Sequence, residues 1–246
     1  MAIIGISGKM GSGKNTVASI IQKLQPERHW EQKAFAGKLK AIASLLTGIS
    51  VESMESHEVK NGELDEKWHQ YFWSHYKLKS DSNPLGRMGS FHATEAEARQ
   101  EQARWSPNFE DGEISLHKPT LRWMLQNLGT EAIRRAIHPE AWTNALFADY
   151  KPVSYWSRDF GVSTVQPNWI ITDVRFENEA ESVRQRGGIL IRINRKSAAD
   201  TGTHPSETEL DGYQGWDWVI YNDGNDLAAL ESEVISFFNH ILRILK

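Results

Sequence analysis

Ala2-Ile3-Ile4-Gly5-Ile6-Ser7, running into Gly8-Lys9-Met10-Gly11-Ser12-Gly13-Lys14-Asn15-Thr16, decides how the rest of the chain is read. A β-branched run leads in, and apolar residues at helical spacing (Val17, Ile20, Ile21, Leu24) lead out. Glycines at such a junction let the backbone turn tightly and aim successive N–H groups inward, where they suit phosphate oxygens. Lys14 adds a mobile positive charge, and Thr16 offers a hydroxyl that can sit on Mg²⁺. The N-terminus of the following helix contributes its own partial positive charge. The usual motif places Ser or Thr directly after the lysine, whereas here Asn15 intervenes. The plain alternative is a glycine-rich turn that binds nothing. The glycines around Ser12, the lysine and the two flanks together argue against it.

The bulk numbers narrow the setting. A chain of 246 residues can bury one large core, and an α/β domain with insertions fits that length. Charged residues are 24% and the hydrophobic class 39%, as in ordinary globular proteins. A net charge of −4 implies no broad basic surface, so a nucleic acid partner is not expected. The absence of cysteine removes disulfides, thiolate zinc sites and cysteine nucleophiles together, and is consistent with a reducing compartment. No apolar segment approaches the roughly 20 residues of a membrane span. The N-terminus runs straight into the first strand, so no signal peptide is expected and the cytoplasm is the expected location.

Beyond the first helix, Gln32 to Ala36 reads as a short strand, and a helix with Leu39, Ile42 and Leu46 on its apolar face runs to Gly48. Regularity is lost over about 50–117, where Trp68, Tyr71, Phe72, Trp73 and Tyr76 crowd together and Ser80–Gly89 holds turn signals. Thr94–Arg104 looks like a solvated charged helix. This region reads as a mainly helical insertion with its own small aromatic core; the competing reading is a second platform on which a nucleotide stacks. A helix is expected from Pro119, with Arg122, Gln126 and Gly129 on one stripe beside an apolar face, and another after Pro139 carrying Trp142. Residues 151–167 read as a loop or second small insertion. Asn168–Asp173 is a buried strand ending in a carboxylate, followed by helix at Glu177–Gly187 and strands at Ile189–Ile193 and Trp218–Asn222. A final helix repeats apolar residues from Leu227 to Leu245. Strands alternating with helices imply a parallel sheet covered on both faces.

Ligands of such sheets bind beyond the carboxyl ends of the strands. The first strand delivers the glycine-rich loop to that edge, and the 168–173 strand delivers Asp173, which could hold Mg²⁺ opposite Thr16. Arg175 offers a fork of donors suited to phosphate, with Glu179 four residues on. The bland alternative makes Asp173 a cap of the following helix and Arg175 with Glu179 a surface ion pair. For Lys40, Arg122, Trp142 and His204 the bland readings are an exposed lysine, a solvated arginine, a core indole and a loop residue. The nine histidines show no ligand spacing for zinc.

Several segments together resemble the bacteriophage-type deoxynucleoside monophosphate kinases of the P-loop kinase superfamily. They are 7–16, Ala36-Gly37-Lys38-Leu39-Lys40, Arg122 with Gln126-Asn127-Leu128-Gly129-Thr130, and Trp142, then Asp173-Val174-Arg175-Phe176-Glu177-Asn178-Glu179, Thr203-His204-Pro205-Ser206-Glu207 and Asn222-Asp223-Gly224. The delayed Thr16 is familiar from nucleoside monophosphate kinases. The resemblance implies a three-layer P-loop fold, about five parallel strands, in a single kinase domain. It also implies that Gly11, Ser12, Gly13, Lys14, Asn15 and Thr16 hold the phosphates of ATP. Lys40, Arg122, Gln126, Gly129, Thr130, Trp142, Asp173, Arg175 and Glu179 would surround the acceptor monophosphate. Residues from Arg192 and Arg195 to about Gly215 would form a lid over ATP, and Asn222 and Asp223 would meet its base. Mg²⁺ would accompany ATP, held by Thr16 and Asp173.

The activity so implied is transfer of the γ-phosphoryl of ATP to a nucleoside or deoxynucleoside 5′-monophosphate, in host cytoplasm if the source is viral. Lys14, Arg122 and Arg175 would carry it, with Arg192 or Arg195 arriving on closure. A kinase of a hydroxyl substrate, with Asp173 as base, and a non-catalytic nucleotide-binding module are the competing readings. A nucleic-acid-dependent ATPase fits less well without a basic stripe. The insertion could carry the contacts of a homodimer.

Overall fold

Ile3–Gly8 forms strand β1, and Lys14–Leu24 the helix α1 that its turn launches. In this computed structural model the described residues are 2–74, 89–105, 113–158, 161–196, 204–224 and 226–244. The chain continues through β2 (Glu31–Lys33), α2 (Ala36–Thr47), α3 (His57–Asn61), β3 (Gln70–Ser74), β4 (Gly89–His92), α4 (Glu95–Trp105), β5 (Ile114–His117) and α5 (Leu121–Gln126). After a wide helical segment, Asn127–Arg135, come α6 (Ala141–Phe147), β6 (Val153–Ser157), β7 (Gly161–Val165), β8 (Trp169–Ile171) and α7 (Glu177–Arg184). The chain closes with β9 (Ile189–Asn194), α8 (Pro205–Thr208), β10 (Trp218–Tyr221) and α9 (Leu227–Ile244). Two compact units divide it: Met1–Leu46 with Leu128–Lys246, and Thr47–Asn127.

The larger unit is built on a five-stranded sheet of order β10-β9-β1-β8-β2, parallel throughout. Strand alternation sends Ile3, Trp169, Ile171 and Leu190 to one face, where they pack with Phe147, Val174, Ala180 and Val183. It sends Ile4, Ile6, Ile170, Ile191 and Ile193 to the other face, against Val17, Ile21, Val234 and Phe237. Both faces are therefore covered, which is why these strands read as unbroken apolar runs rather than alternating ones. Each such side chain contributes about 1.5–3 kcal/mol on burial, so the central strands are held rigidly and the loops at their carboxyl ends inherit that rigidity. The expected α/β architecture with five parallel strands is the one observed.

Local departures have physical causes. Asp173 does not cap the helix that follows it. Its two oxygens accept from the Phe35 and Ala36 N–H groups, 2.7 and 2.9 Å away, at the start of α2. The wide segment Asn127–Arg135 has π-type turns, with His138 N–H reaching back five residues to the Ile133 carbonyl at 3.0 Å. An ordinary helical stripe running from Arg122 to Gly129 therefore loses register after Gln126. Within 151–167, expected as a loop or second small insertion, Val153–Ser157 and Gly161–Val165 pair as the hairpin β6–β7.

The unit Thr47–Asn127, which contains the mainly helical insertion expected at about 50–117, holds α3, α4 and α5 and also a three-stranded antiparallel sheet of order β4-β3-β5. Consecutive aromatics at Tyr71, Phe72 and Trp73 lie in a strand, not on a helix face. Phe72 packs on Phe91 with ring centroids 4.9 Å apart, and His117 on Trp123 at 4.7 Å. Tyr76 and the turn signals at 80–88 fall outside the described residues.

Candidate active site

The glycine-rich loop is a preformed cradle. Gly13 adopts φ 101°, a conformation that favours glycine, and a Cβ there would lie 2.7 Å from the Asn222 amide nitrogen and displace that side chain. The loop is pinned from outside by two donors. Asn222 Nδ2 donates to the Ser12 carbonyl at 2.9 Å, and Arg195 Nη1 to the Gly11 carbonyl at 3.0 Å. Ser12 is fully buried, and its hydroxyl finds no partner among the described residues. Lys14 folds back on the loop, donating to the carbonyls of Gly8 (2.7 Å) and Lys9 (2.9 Å). Burial first, and then the neighbouring Arg175, lower the Lys14 pKa to about 8, against the opposing pull of Glu207 and Asp173. Asn15 and Thr16 are exposed in the first turn of α1.

The turn after β8 brings the second group. Arg175 directs Nη1 to the Glu207 carboxylate and to the Ser206 carbonyl, 3.2 Å away. Its own backbone N–H donates to Glu179 Oε2 at 2.9 Å, so Arg175 and Glu179 are not a side-chain pair. Glu179 is 2% exposed and takes its charge partner from Arg134, Nη2 to Oε1 at 2.6 Å. Burial and the nearby Asp173 carboxylate push the Glu179 carboxyl up to about 7, while Arg134 and the Arg175 N–H pull it down. Arg134 also donates to Asn178 Oδ1 (2.9 Å) and the Pro139 carbonyl (3.1 Å), and its guanidinium lies 3.8 Å from the Phe176 ring centroid. This arginine ties the end of the wide helix to the Asp173–Glu179 turn.

A third group joins the first two in a cleft whose lining includes Ser7, Gly8, Lys9, Arg175, Arg192 and Glu207. Arg192 is placed by β9 within the sheet, with Nη1 on Ser7 Oγ at 3.0 Å and Nη2 on Asp211 Oδ1 at 3.3 Å. Lys9 donates to the Glu207 carbonyl (2.7 Å) and to Asp211 Oδ2 (2.6 Å). Of the lid-like stretch expected at about 192–215, residues 192–194 belong to β9 and 197–203 lie outside the described residues. Residue 204 is no plain loop histidine: His204 caps α8, its Nδ1 accepting from the Ser206 N–H at 3.2 Å.

The remaining candidates sort by unit. Trp142 is buried and donates Nε1–H to the Gly129 carbonyl at 2.8 Å, beside the buried Thr130. Lys40 sits half-buried on α2. Asn222 follows β10, and Asp223 accepts from the Lys196 N–H at 2.8 Å. Arg122 and Gln126 lie on α5 in the other unit, where Arg122 Nε donates to Asn61 Oδ1 at 2.7 Å. Lys9, Arg134, Glu207 and Asp211 were not singled out from the sequence. Glu207 and Lys9 did stand inside matching segments, while Arg134, next to Arg135, looks like one of a solvated pair.

Comparison with known proteins converges on one family. The family model for deoxynucleotide monophosphate kinase matches residues 91–234. An Acanthamoeba polyphaga mimivirus protein, provisionally named a deoxynucleotide monophosphate kinase, is 28% identical over 240 residues, covering 96% of this chain and 95% of its own. The deoxynucleoside-5′-monophosphate kinase of Escherichia phage T5 is 28% identical over 227 residues, 85% of this chain and 84% of its own. The deoxynucleotide monophosphate kinase of Escherichia phage RB69 is 29% identical over 115 residues, 47% and 43% of the two chains.

Two outcomes follow from these contacts. Arg134→Met leaves Glu179 buried without its partner and should cost about 3–5 kcal/mol in urea unfolding, with much of that restored in Arg134→Met/Glu179→Leu. A bound polyphosphate favours charged Lys14, so above pH of about 8 binding should take up a proton and weaken as pH rises. Titration calorimetry of tripolyphosphate in buffers of differing ionisation enthalpy reads that proton, and Lys14→Met should abolish it.

Proposed function

The chain belongs to the deoxynucleotide monophosphate kinase family, and we propose that it moves the γ-phosphoryl group of ATP onto the 5′-phosphate of a deoxynucleoside monophosphate, giving the diphosphate for dNTP synthesis. The observation that carries this reading is the convergence of Lys9, Lys14, Arg175 and Arg192 at the carboxyl edge of the sheet, beside a preformed phosphate cradle. The acceptor phosphate has a second pKa of about 6 and is already nucleophilic near neutral pH, so the reaction needs no strong general base. What it needs is two anions held in line, and that calls for concentrated positive charge.

In this reading Gly11–Thr16 cradle the phosphates of ATP, and Lys14 leaves the Gly8 and Lys9 carbonyls for phosphate oxygens. Arg175 meets the phosphoryl group between donor and acceptor. Arg192 serves from the sheet and Arg195 from the loop after β9, where it already holds the cradle. Asn222 and Asp223 would meet the base of ATP. Gly129, Thr130, Trp142 and Lys40 are the acceptor contacts, and Asp173 and Glu179 shape the turn that presents Arg175. Arg122 and Gln126, in the Thr47–Asn127 unit, are assigned to the acceptor by the resemblance only.

Magnesium fits the donor set. Thr16 Oγ1 and the Asp173 carboxylate are hard oxygen donors; each Asp173 oxygen already accepts one backbone N–H, from Phe35 or Ala36, and keeps a lone pair for the ion or its water. They would hold the ion, which when bound neutralises charge on the β- and γ-phosphates. The absence of cysteine and the nucleotide substrates favour the cytoplasm, of the host if the source is viral. Among the described residues no helix is long and apolar enough to cross a membrane.

ADP release from Mg-ATP should depend on a monophosphate acceptor in a panel of the four ribo- and deoxyribonucleoside monophosphates plus dTMP. A flat panel alongside intact ATP binding would sink the proposal. Arg175→Ala should lower turnover by about 10²–10³ while unfolding at a near-normal denaturant concentration.

A further inference from the structure

The segment from His204 to Trp216 supplies carboxylates to every part of the cleft, yet the kinase reading gives them no task. Glu207 pairs with Arg175, and its carbonyl takes the Lys9 ammonium at 2.7 Å. Asp211 takes the same Lys9 at 2.6 Å and Arg192 at 3.3 Å. These carboxylates could do either of two things: vacate the cleft when phosphate arrives, or stay and aim the cations. The packing of the segment decides between them. Leu210, between the two, is 4% exposed and belongs to the core on that face of the sheet. Tyr213 and Trp216 pack on that core with ring centroids 4.8 Å apart. Asp217 accepts from the Leu190 N–H at 2.8 Å, fastening the end of the segment to β9. Residues anchored on both sides of Asp211 do not swing away at small cost.

We propose that Glu207 and Asp211 are positioning residues for phosphoryl transfer, Glu207 aiming Arg175 and Asp211 aiming Lys9 and Arg192 into the cleft. Lys and Arg side chains have many rotamers, and a fixed carboxylate selects the one that faces a phosphate. Among the described residues Arg175 commits only Nη1, which leaves Nη2 and Nε of the fork for an oxyanion. The cleft stays net positive with both carboxylates counted, so it still attracts phosphate. The inference rests on the kinase reading for what the cations meet.

The test is a double-mutant cycle on the full chain with Glu207→Gln and Arg175→Ala, with kcat, KM and tripolyphosphate binding measured for each. Misaiming a catalytic group costs up to about 10²-fold in rate, so Glu207→Gln should lower kcat at least about tenfold with KM for ATP within about threefold. Because Glu207 acts through Arg175, the double variant should be no more than about twofold slower than Arg175→Ala. Asp211→Asn should weaken tripolyphosphate binding. An inactive Arg175→Ala beside a fully active Glu207→Gln overturns the positioning role and leaves the kinase reading intact. So does tighter tripolyphosphate binding by Asp211→Asn, since the carboxylate would then be a competitor. Near-normal Arg175→Ala removes Arg175 from the mechanism and the inference with it. Should Glu207→Gln not fold, Glu207→Asp keeps the charge one methylene short. It should lower kcat and spare KM, and an unchanged kcat counts against the proposal.

Discussion

Four cationic side chains converge at the carboxyl edge of the sheet, and the arrangement around them is governed by their mutual repulsion. Two like charges about 4 Å apart near a protein surface repel by about 4 kcal/mol at an effective dielectric of 20. Lys14 registers part of that cost: burial is the main cause of its pKa falling to about 8, and the charge of Arg175 adds to it. Each cation is held by a different device. Lys14 rests on loop carbonyls, Arg175 on Glu207, Arg192 on Ser7 and Asp211, and Lys9 on Asp211 and a carbonyl. None of these partners neutralises the cluster completely, which is what a phosphate-transfer site requires.

Behind the cleft lies a network of different character. The side chains of Arg134 and Glu179 are 10% and 3% exposed, so their ion pair must be complete to be tolerated. Both Glu179 oxygens are engaged, one by Arg134 and the other by the backbone N–H groups of Arg175 and Phe176. The carboxylate thus shapes the backbone that presents Arg175 and has no oxygen left over for an easy ligand contact. Front and rear divide the work: the front pairs leave the cleft net positive, and the closed pair behind keeps its wall rigid.

The features legible in the sequence were those encoded locally. The glycine-rich loop, the apolar runs of β1, β8 and β9, and the long amphipathic repeat of α9 each announce themselves within a few residues. Those that were not legible depend on distant partners. Asp173 caps α2, more than a hundred residues earlier, because β8 lies beside β2 in the sheet. The aromatics of β3 show neither helical nor clean strand periodicity, and only β4 and β5 give them a pairing surface. The wide turns at Asn127–Arg135 leave no mark in composition, yet they set where Arg134 emerges. Glu207 and Asp211, four apart, look like a solvated helix face until Leu210 is seen in the core.

The glycine-rich loop is tied to the ends of β9 and β10. Asn222, at the end of β10, holds the Ser12 carbonyl with its side chain while its backbone N–H donates to the Asn194 carbonyl at 2.8 Å. Arg195 holds Gly11 from the same side, and Asp223 accepts from the neighbouring Lys196. Residues expected to meet the base of ATP therefore already brace the loop expected to hold its phosphates. A displacement at the base end would pull on the Ser12 and Gly11 carbonyls, and so on the N–H groups of the cradle. Such bracing reduces the ordering that binding must supply and makes the phosphate loop rigid before any nucleotide arrives.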